Sequence, residues 1–134
     1  KEKISKLSFE TSVFIFDPVF EYDQKEKIFL NSDCFLLPSK SENFGMSIVE
    51  ALSYGVPVLT TEETPWKILK EINGGKIIKF SQENLTLSLK EITSMKDEEL
   101  VKMGEIGKEM LKNNYDINNI IFNYIEFYKE VFNK

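Results

Sequence analysis

Residues 38–58 read Pro38-Ser39-Lys40-Ser41-Glu42-Asn43-Phe44-Gly45-Met46-Ser47-Ile48-Val49-Glu50-Ala51-Leu52-Ser53-Tyr54-Gly55-Val56-Pro57-Val58. A short apolar run, residues 34–37, stops at Pro38-Ser39 and reads as a strand. Residues 38–44 form a loop, and from Gly45 to Tyr54 the apolar Met46, Val49, Ala51 and Leu52 recur at helical spacing. Gly55 stands where a helix C-terminal glycine belongs, and a further strand, residues 56–60, follows at once. Strand, loop, helix and strand in this order make a parallel sheet. The loop and the helix start then lie at the carboxyl edge of the sheet, where ligands of such sheets bind.

The flanking sequence extends the same alternation. Upstream, residues 12–16 (Ser-Val-Phe-Ile-Phe) form a β-branched and aromatic run stopped by Asp17-Pro18, expected as a strand. Asp23 and Glu26 have capping-box spacing and open a helix through Ile28, Phe29 and Leu30. Downstream, Thr64-Pro65 reads as an N-cap and first-turn proline for a helix over residues 66–72, ended by Asn73-Gly74-Gly75. A strand at 76–80 follows. Beyond it the pattern is helical only: Ser81 caps one helix, Asp97 opens a second, and a third begins near Asp116. The last carries Ile117, Ile120, Ile121, Tyr124, Ile125, Tyr128 and Val131 on one face, a stripe expected to pack on the sheet or on a neighbouring domain. The fold class is therefore α/β: a Rossmann-like parallel sheet of about four strands with flanking helices and a helical C-terminal segment.

Composition narrows the chemistry. With 134 residues, 42% of them hydrophobic, the chain can bury a core, and disorder is excluded as its main state. No run approaches the roughly 18 apolar residues of a membrane span, so a cytoplasmic protein is expected. The net charge of −5 has the wrong sign for neutralising a nucleic-acid backbone. All 17 basic residues are Lys, so any phosphate must be held by Lys or by backbone amides. The sequence has no His, which removes Ser-His and Cys-His nucleophile pairs and His-based metal sites, and no metal ligand set is assigned. The single Cys34, followed by Phe35-Leu36-Leu37, reads as a buried thiol in a strand.

At the helix start, free N–H groups and the positive end of the dipole form an anion site, and Gly45 lacks the side chain that would keep a ligand off the backbone. Glu42 stands in the loop ahead of this cradle, and Glu50 lies about 7 Å along the helix axis beyond it, five residues at about 1.5 Å rise. A carboxylate accepts two hydrogen bonds at once, which suits the vicinal hydroxyls of a ribose or hexose. A nucleotide sugar fits this layout, with ribose at Glu50, diphosphate at the cradle and hexose near Glu42. Lys40, Lys67 and Asp17 lie near the same edge and read more simply as two surface lysines and a turn residue.

Glu42 and Glu50 are also the ends of an E-x7-E motif. Set in Pro38-Ser39, Phe44-Gly45, Glu50-Ala51-Leu52 and Gly55-x-Pro57-Val58, it resembles the retaining glycosyltransferases of family 4 and their GT-B relatives. Thr64-Pro65-Trp66 resembles a subset of them. The resemblance implies that Glu50 contacts the donor ribose. It further implies that Glu42 contacts the donor sugar, and that Asn43, Phe44, Gly45, Met46 and Ser47 supply the backbone cradle. It implies retention at the anomeric carbon, no metal or other cofactor, a nucleotide-diphosphate sugar as donor, and Glu42 as the catalytic candidate.

Where family members carry a preceding acceptor domain, a Gly-rich loop and a basic diphosphate clamp, this sequence has none. The 134 residues are expected to be a single partial domain, the donor-binding half of a C-terminal domain, excised from a longer polypeptide. The missing N-terminal domain is its expected partner. By itself the piece is expected to bind nucleotide weakly and to transfer nothing. The parent would move a hexose to a saccharide or lipid-linked acceptor in bacterial surface polysaccharide or capsule synthesis, any membrane contact being peripheral, at the inner face, through the preceding domain. An exposed sheet edge at residues 13–16 would favour self-association. Two alternatives stay open. One is a GT-B epimerase, which usually relies on His and Arg; the other is a non-catalytic nucleotide-binding or assembly module with a relict donor site.

Overall fold

The structure, a computed structural model, describes residue 14 and residues 16–132. Its elements in chain order are α1 (Tyr22–Leu30), β1 (Phe35–Leu37), α2 (Met46–Ser53), β2 (Val58–Thr61), α3 (Ile68–Glu71), β3 (Gly75–Ile78), α4 (Gln82–Ser94), α5 (Asp97–Tyr115) and α6 (Ile117–Phe132). The three strands pair in parallel in the order β1-β2-β3, with Phe35 opposite Val58 and Val58 opposite Gly75. The central strand β2 is buried at all four positions, as a parallel strand covered on both faces must be. The chain is thus α/β with a parallel sheet, flanking helices and a helical C-terminal segment.

Three strands are described where about four were expected. Of the strand expected at 12–16, positions 12, 13 and 15 lie outside the described residues, while Phe14 and Phe16 are exposed and in no strand. Of the edge expected at 13–16 to promote self-association, positions 13 and 15 lie outside them too.

Helix α2 is the centre of the core. Ile48, Ala51 and Leu52 are fully buried, and with Val58, Trp66, Leu69, Ile77, Met110 and Leu111 they join the sheet to α5. The helix ends as its sequence requires. Gly55 adopts φ +74°, its N–H donates to Leu52 O at 2.9 Å, and Val56 N–H donates to Ala51 O at 3.0 Å, the paired bonds of a Schellman close.

Helix α5 crosses α2 closely enough that a Cβ added at Gly104 would lie 1.8 Å from the Gly55 carbonyl oxygen. Only glycine lets the two backbones meet there.

Four local expectations are corrected. The capping box of α1 does not form: the helix starts two residues earlier, at Tyr22, with Glu21 rather than Asp23 as an N-cap that makes no side-chain bond. Strand β2 begins at Val58 rather than 56, because Val56 belongs to the close of α2. Strand β3 covers Gly75–Ile78 rather than 76–80.

Helix α3 is one turn, Ile68–Glu71, rather than residues 66–72. Thr64 does not cap it; its hydroxyl donates to Thr61 O at 2.9 Å and closes the turn after β2. Ser81, by contrast, caps α4 as expected, accepting from Asn84 N–H at 3.1 Å.

The stripe on α6 does not pack on the sheet. Ile117, Ile121, Tyr124, Ile125, Tyr128 and Val131 remain 47–61% exposed, α5 having already covered α2. Among the described residues, no helix is long and apolar enough to cross a membrane.

Candidate functional site

The loop between β1 and α2 leaves the carboxyl edge of the sheet, and both its ends are tied down. At its start, Thr60 Oγ1 donates to Leu37 O at 2.8 Å and Thr61 Oγ1 donates to Ser39 O. Both threonines are fully buried in β2, and their hydroxyls reach across to the neighbouring strand's exit. At the loop's far end, Trp66 Nε1–H donates to Phe44 O. The indole is 1% exposed, so the donor of this bond is held in the core.

Gly45 follows, at φ +80° and ψ +63°, the left-handed region that a side chain disfavours. It is the N-cap of α2: its carbonyl accepts from Ile48 N–H at 2.8 Å, the first bond of the helix. The amides of Met46 and Ser47 precede that bond and have no intrahelical acceptor. A left-handed residue followed by right-handed ones turns the successive N–H groups of Gly45, Met46 and Ser47 toward one concavity, a shape that binds anions. A Cβ at Gly45 would also press on Ile48 Cδ1 at 3.2 Å and Glu42 Cγ at 3.3 Å.

The expected residues are therefore gathered on one unit. Glu42 is half-buried, its Oε1 accepting from Asn43 N–H at 3.1 Å, and its side chain borders Gly45. Glu50 is half-buried on α2, three and four residues after Ser47 and Met46 and so on their face of the helix. Its Oε1 forms an ion pair with Lys25 Nζ of α1 at 2.7 Å. Asn43 and Met46 are exposed, Ser47 is partly exposed, and Gly45 is buried. Lys40 and Lys67 are surface lysines, Lys40 Nζ lying 5.3 Å from the Phe80 ring centroid. Asp17 is exposed. Cys34 is partly buried, and burial pushes its thiol up to about 11, the Leu59 backbone hydrogen bond opposing this and Asp33 adding to it.

Sequence reasoning missed Thr60, Thr61, Lys25 and Tyr115. Threonines in an otherwise apolar buried strand were the available signal, since a buried hydroxyl needs an acceptor. Tyr115 ends α5, 78 positions after β1, yet its ring lies 5.8 Å from Phe44 and 5.5 Å from Trp66, while Phe44 and Trp66 are 5.3 Å apart. The three rings close a cluster behind the loop that no local pattern announced.

Comparison with known proteins agrees with this architecture. A family model described as "Glycosyl transferases group 1" matches residues 1–110. The O-antigen biosynthesis glycosyltransferase WclY of Escherichia coli is 41% identical over 39 residues, 29% of this chain and 11% of that protein. An uncharacterized 41.2 kDa protein in the cps region of Klebsiella pneumoniae is 24% identical over 141 residues, 94% of this chain and 39% of that protein. The chain thus spans well under half the length of either relative.

Proposed function

The chain belongs to the glycosyl transferases group 1 family, and on that premise we propose that its β1–α2 loop and α2 hold the nucleotide-sugar donor of a retaining, metal-independent transferase of family 4 type. The observation that carries this reading is the gathering of Glu42, the amides of Gly45, Met46 and Ser47, and Glu50 on one loop-helix unit at the carboxyl edge of a parallel sheet. The diphosphate lies at the three amides, in a chain whose cations are all lysines.

Glu50 accepts the ribose hydroxyls and Glu42 those of the sugar. The ion pair of Glu50 with Lys25 is compatible with this role. It engages one carboxylate oxygen and, at about 39% side-chain exposure, is worth less than about 1 kcal/mol, so a ligand can share or displace it.

In transfer, negative charge grows on the leaving diphosphate as the glycosidic bond to the anomeric carbon breaks. Amides already aimed at that charge stabilise it without reorganising. Glu42, beside the sugar, is the side chain placed to act on the reacting carbon. The names of the two relatives, O-antigen biosynthesis and a cps region, support a role in surface polysaccharide synthesis, in which the parent would pass a hexose to a saccharide or lipid-linked acceptor.

A two-dimensional amide NMR titration with UDP, GDP and ADP, repeated on Glu50→Ala, tests the reading. Shifts confined to residues 43–50 for one nucleotide, lost in the variant, support a donor site and name its base. A dispersed spectrum that none of the three perturbs means that the site needs the preceding half of the polypeptide or is relict, and the same titration on a chain extended upstream separates the two.

A further inference from the structure

Trp66 is the largest fully buried side chain among the described residues, and its one polar atom is spent on a single backbone oxygen, Phe44 O. The Phe44–Gly45 peptide is trans, since none of the described bonds is cis. In a trans peptide the C=O and the following N–H point in opposite directions across one rigid plane. Fixing the Phe44 carbonyl inward, against the buried indole, therefore fixes the Gly45 N–H outward, toward the side on which the Met46 and Ser47 amides stand. If that peptide were to flip, the Gly45 N–H would leave the concavity and the Phe44 carbonyl oxygen would face the diphosphate in its place. Glycine permits both states, so something outside the residue must choose between them. Tyr115 braces the choice: its ring packs on both Phe44 and Trp66 and limits how far either can turn.

We propose that Trp66 is a positioning residue of the donor site: its indole N–H, backed by Tyr115, selects the orientation of the Phe44–Gly45 peptide and so sets the diphosphate cradle. The inference rests on the donor-site reading and adds a residue that does not touch the ligand. Trp66 is also the single tryptophan of the sequence, which permits an unusually clean test. Growth of a tryptophan auxotroph on 3-benzothienylalanine replaces the indole by a ring of nearly the same shape whose sulfur cannot donate. The sulfur-substituted chain and the native chain are compared by urea unfolding, by the amide shifts of Gly45, Met46 and Ser47, and by titration with UDP, GDP and ADP. Trp66→Phe serves as a second variant.

The expected result is a shift of the three amides that exceeds any change at Leu59 or Ile77. A loss of nucleotide affinity of about tenfold should accompany it, as when a buried carbonyl loses its only donor. Amide shifts and affinity both unchanged within about twofold overturn the proposal. Should the native chain bind none of the three nucleotides, the donor site needs the preceding domain or is relict, and affinity no longer reads the positioning role. The Met46 and Ser47 amide shifts, which lie in other peptide groups, then decide the positioning role: unmoved, they overturn that role, and moved, they uphold it.

Discussion

Gly104→Ala sets two physical effects of opposite sign against each other, and the structure says which wins. In an isolated helix the change should stabilise, because Ala is favoured over Gly in helix interiors by about 1 kcal/mol. In this chain the new Cβ would lie 1.8 Å from Gly55 O and 2.7 Å from Gly55 C. An ordinary contact is about 3.4 Å or more, so α5 and the turn after α2 would have to part by about 1.6 Å. No side chain can rotate away, since the obstacle is backbone.

That backbone is the Schellman close of α2, whose two hydrogen bonds fix Gly55. Overpacking of this kind costs about 3 kcal/mol, the upper end of its usual range, which leaves a net loss of about 2 kcal/mol after the propensity gain. Urea unfolding followed by Trp66 fluorescence reads this directly, as a midpoint about 1 M lower with unchanged slope. Glu109→Gly, on the exposed face of the same helix, calibrates the propensity and should lose about 1 kcal/mol. A Gly104→Ala chain as stable as its parent, or more so, would refute the claim that close backbone approach dictates this glycine.

Three further outcomes follow from the hydrogen bonds and the thiol. Thr61→Val keeps the volume of the side chain but deprives Ser39 O of its donor, and should lower stability by about 1–2 kcal/mol in the same urea assay. Ser81→Ala removes the cap of α4 and should cost about 1 kcal/mol, seen by circular dichroism on heating. Cys34, its thiol pushed up to about 11 from 9.0, should react with iodoacetamide at pH 8 about a hundredfold more slowly than in urea, from the fraction of thiolate alone. The folded state holds that proton more tightly than the unfolded one, so Cys34's contribution to stability is intact below pH 9. It is lost as the pH rises toward 11, visible as a falling urea midpoint over that window.

The parallel alternation and the geometry of the loop between β1 and α2 were legible because their signals are local. A strand ending in Pro38, a glycine before an apolar helix, and Gly55 closing that helix each follow from backbone chemistry within a few residues. Glu42 and Glu50 could be placed on one unit for the same reason. The errors came where a tertiary contact outbid a local rule. Thr64-Pro65 has the form of a helix start, yet the Trp66 side chain is committed to Phe44 and the helix waits until Ile68. Asp23 and Glu26 have the spacing of a capping box, but the helix begins at Tyr22, and the α1 residue that reaches the site is Lys25. Tyr115 was beyond local reading altogether, since only the crossing of α5 over α2 carries it to the loop.

The anchoring of the site loop by Thr60, Thr61 and Trp66 has a consequence for how such a loop can diversify. Its two ends are fastened through backbone oxygens, of Leu37 and Ser39 on one side and Phe44 on the other, none of which depends on the side chain of the residue that carries it. Residues 40–43 between the fasteners thus form an interchangeable cassette. Lys40, Ser41 and Asn43 can be exchanged for other chemistries around Glu42 while the scaffold that presents them keeps its shape.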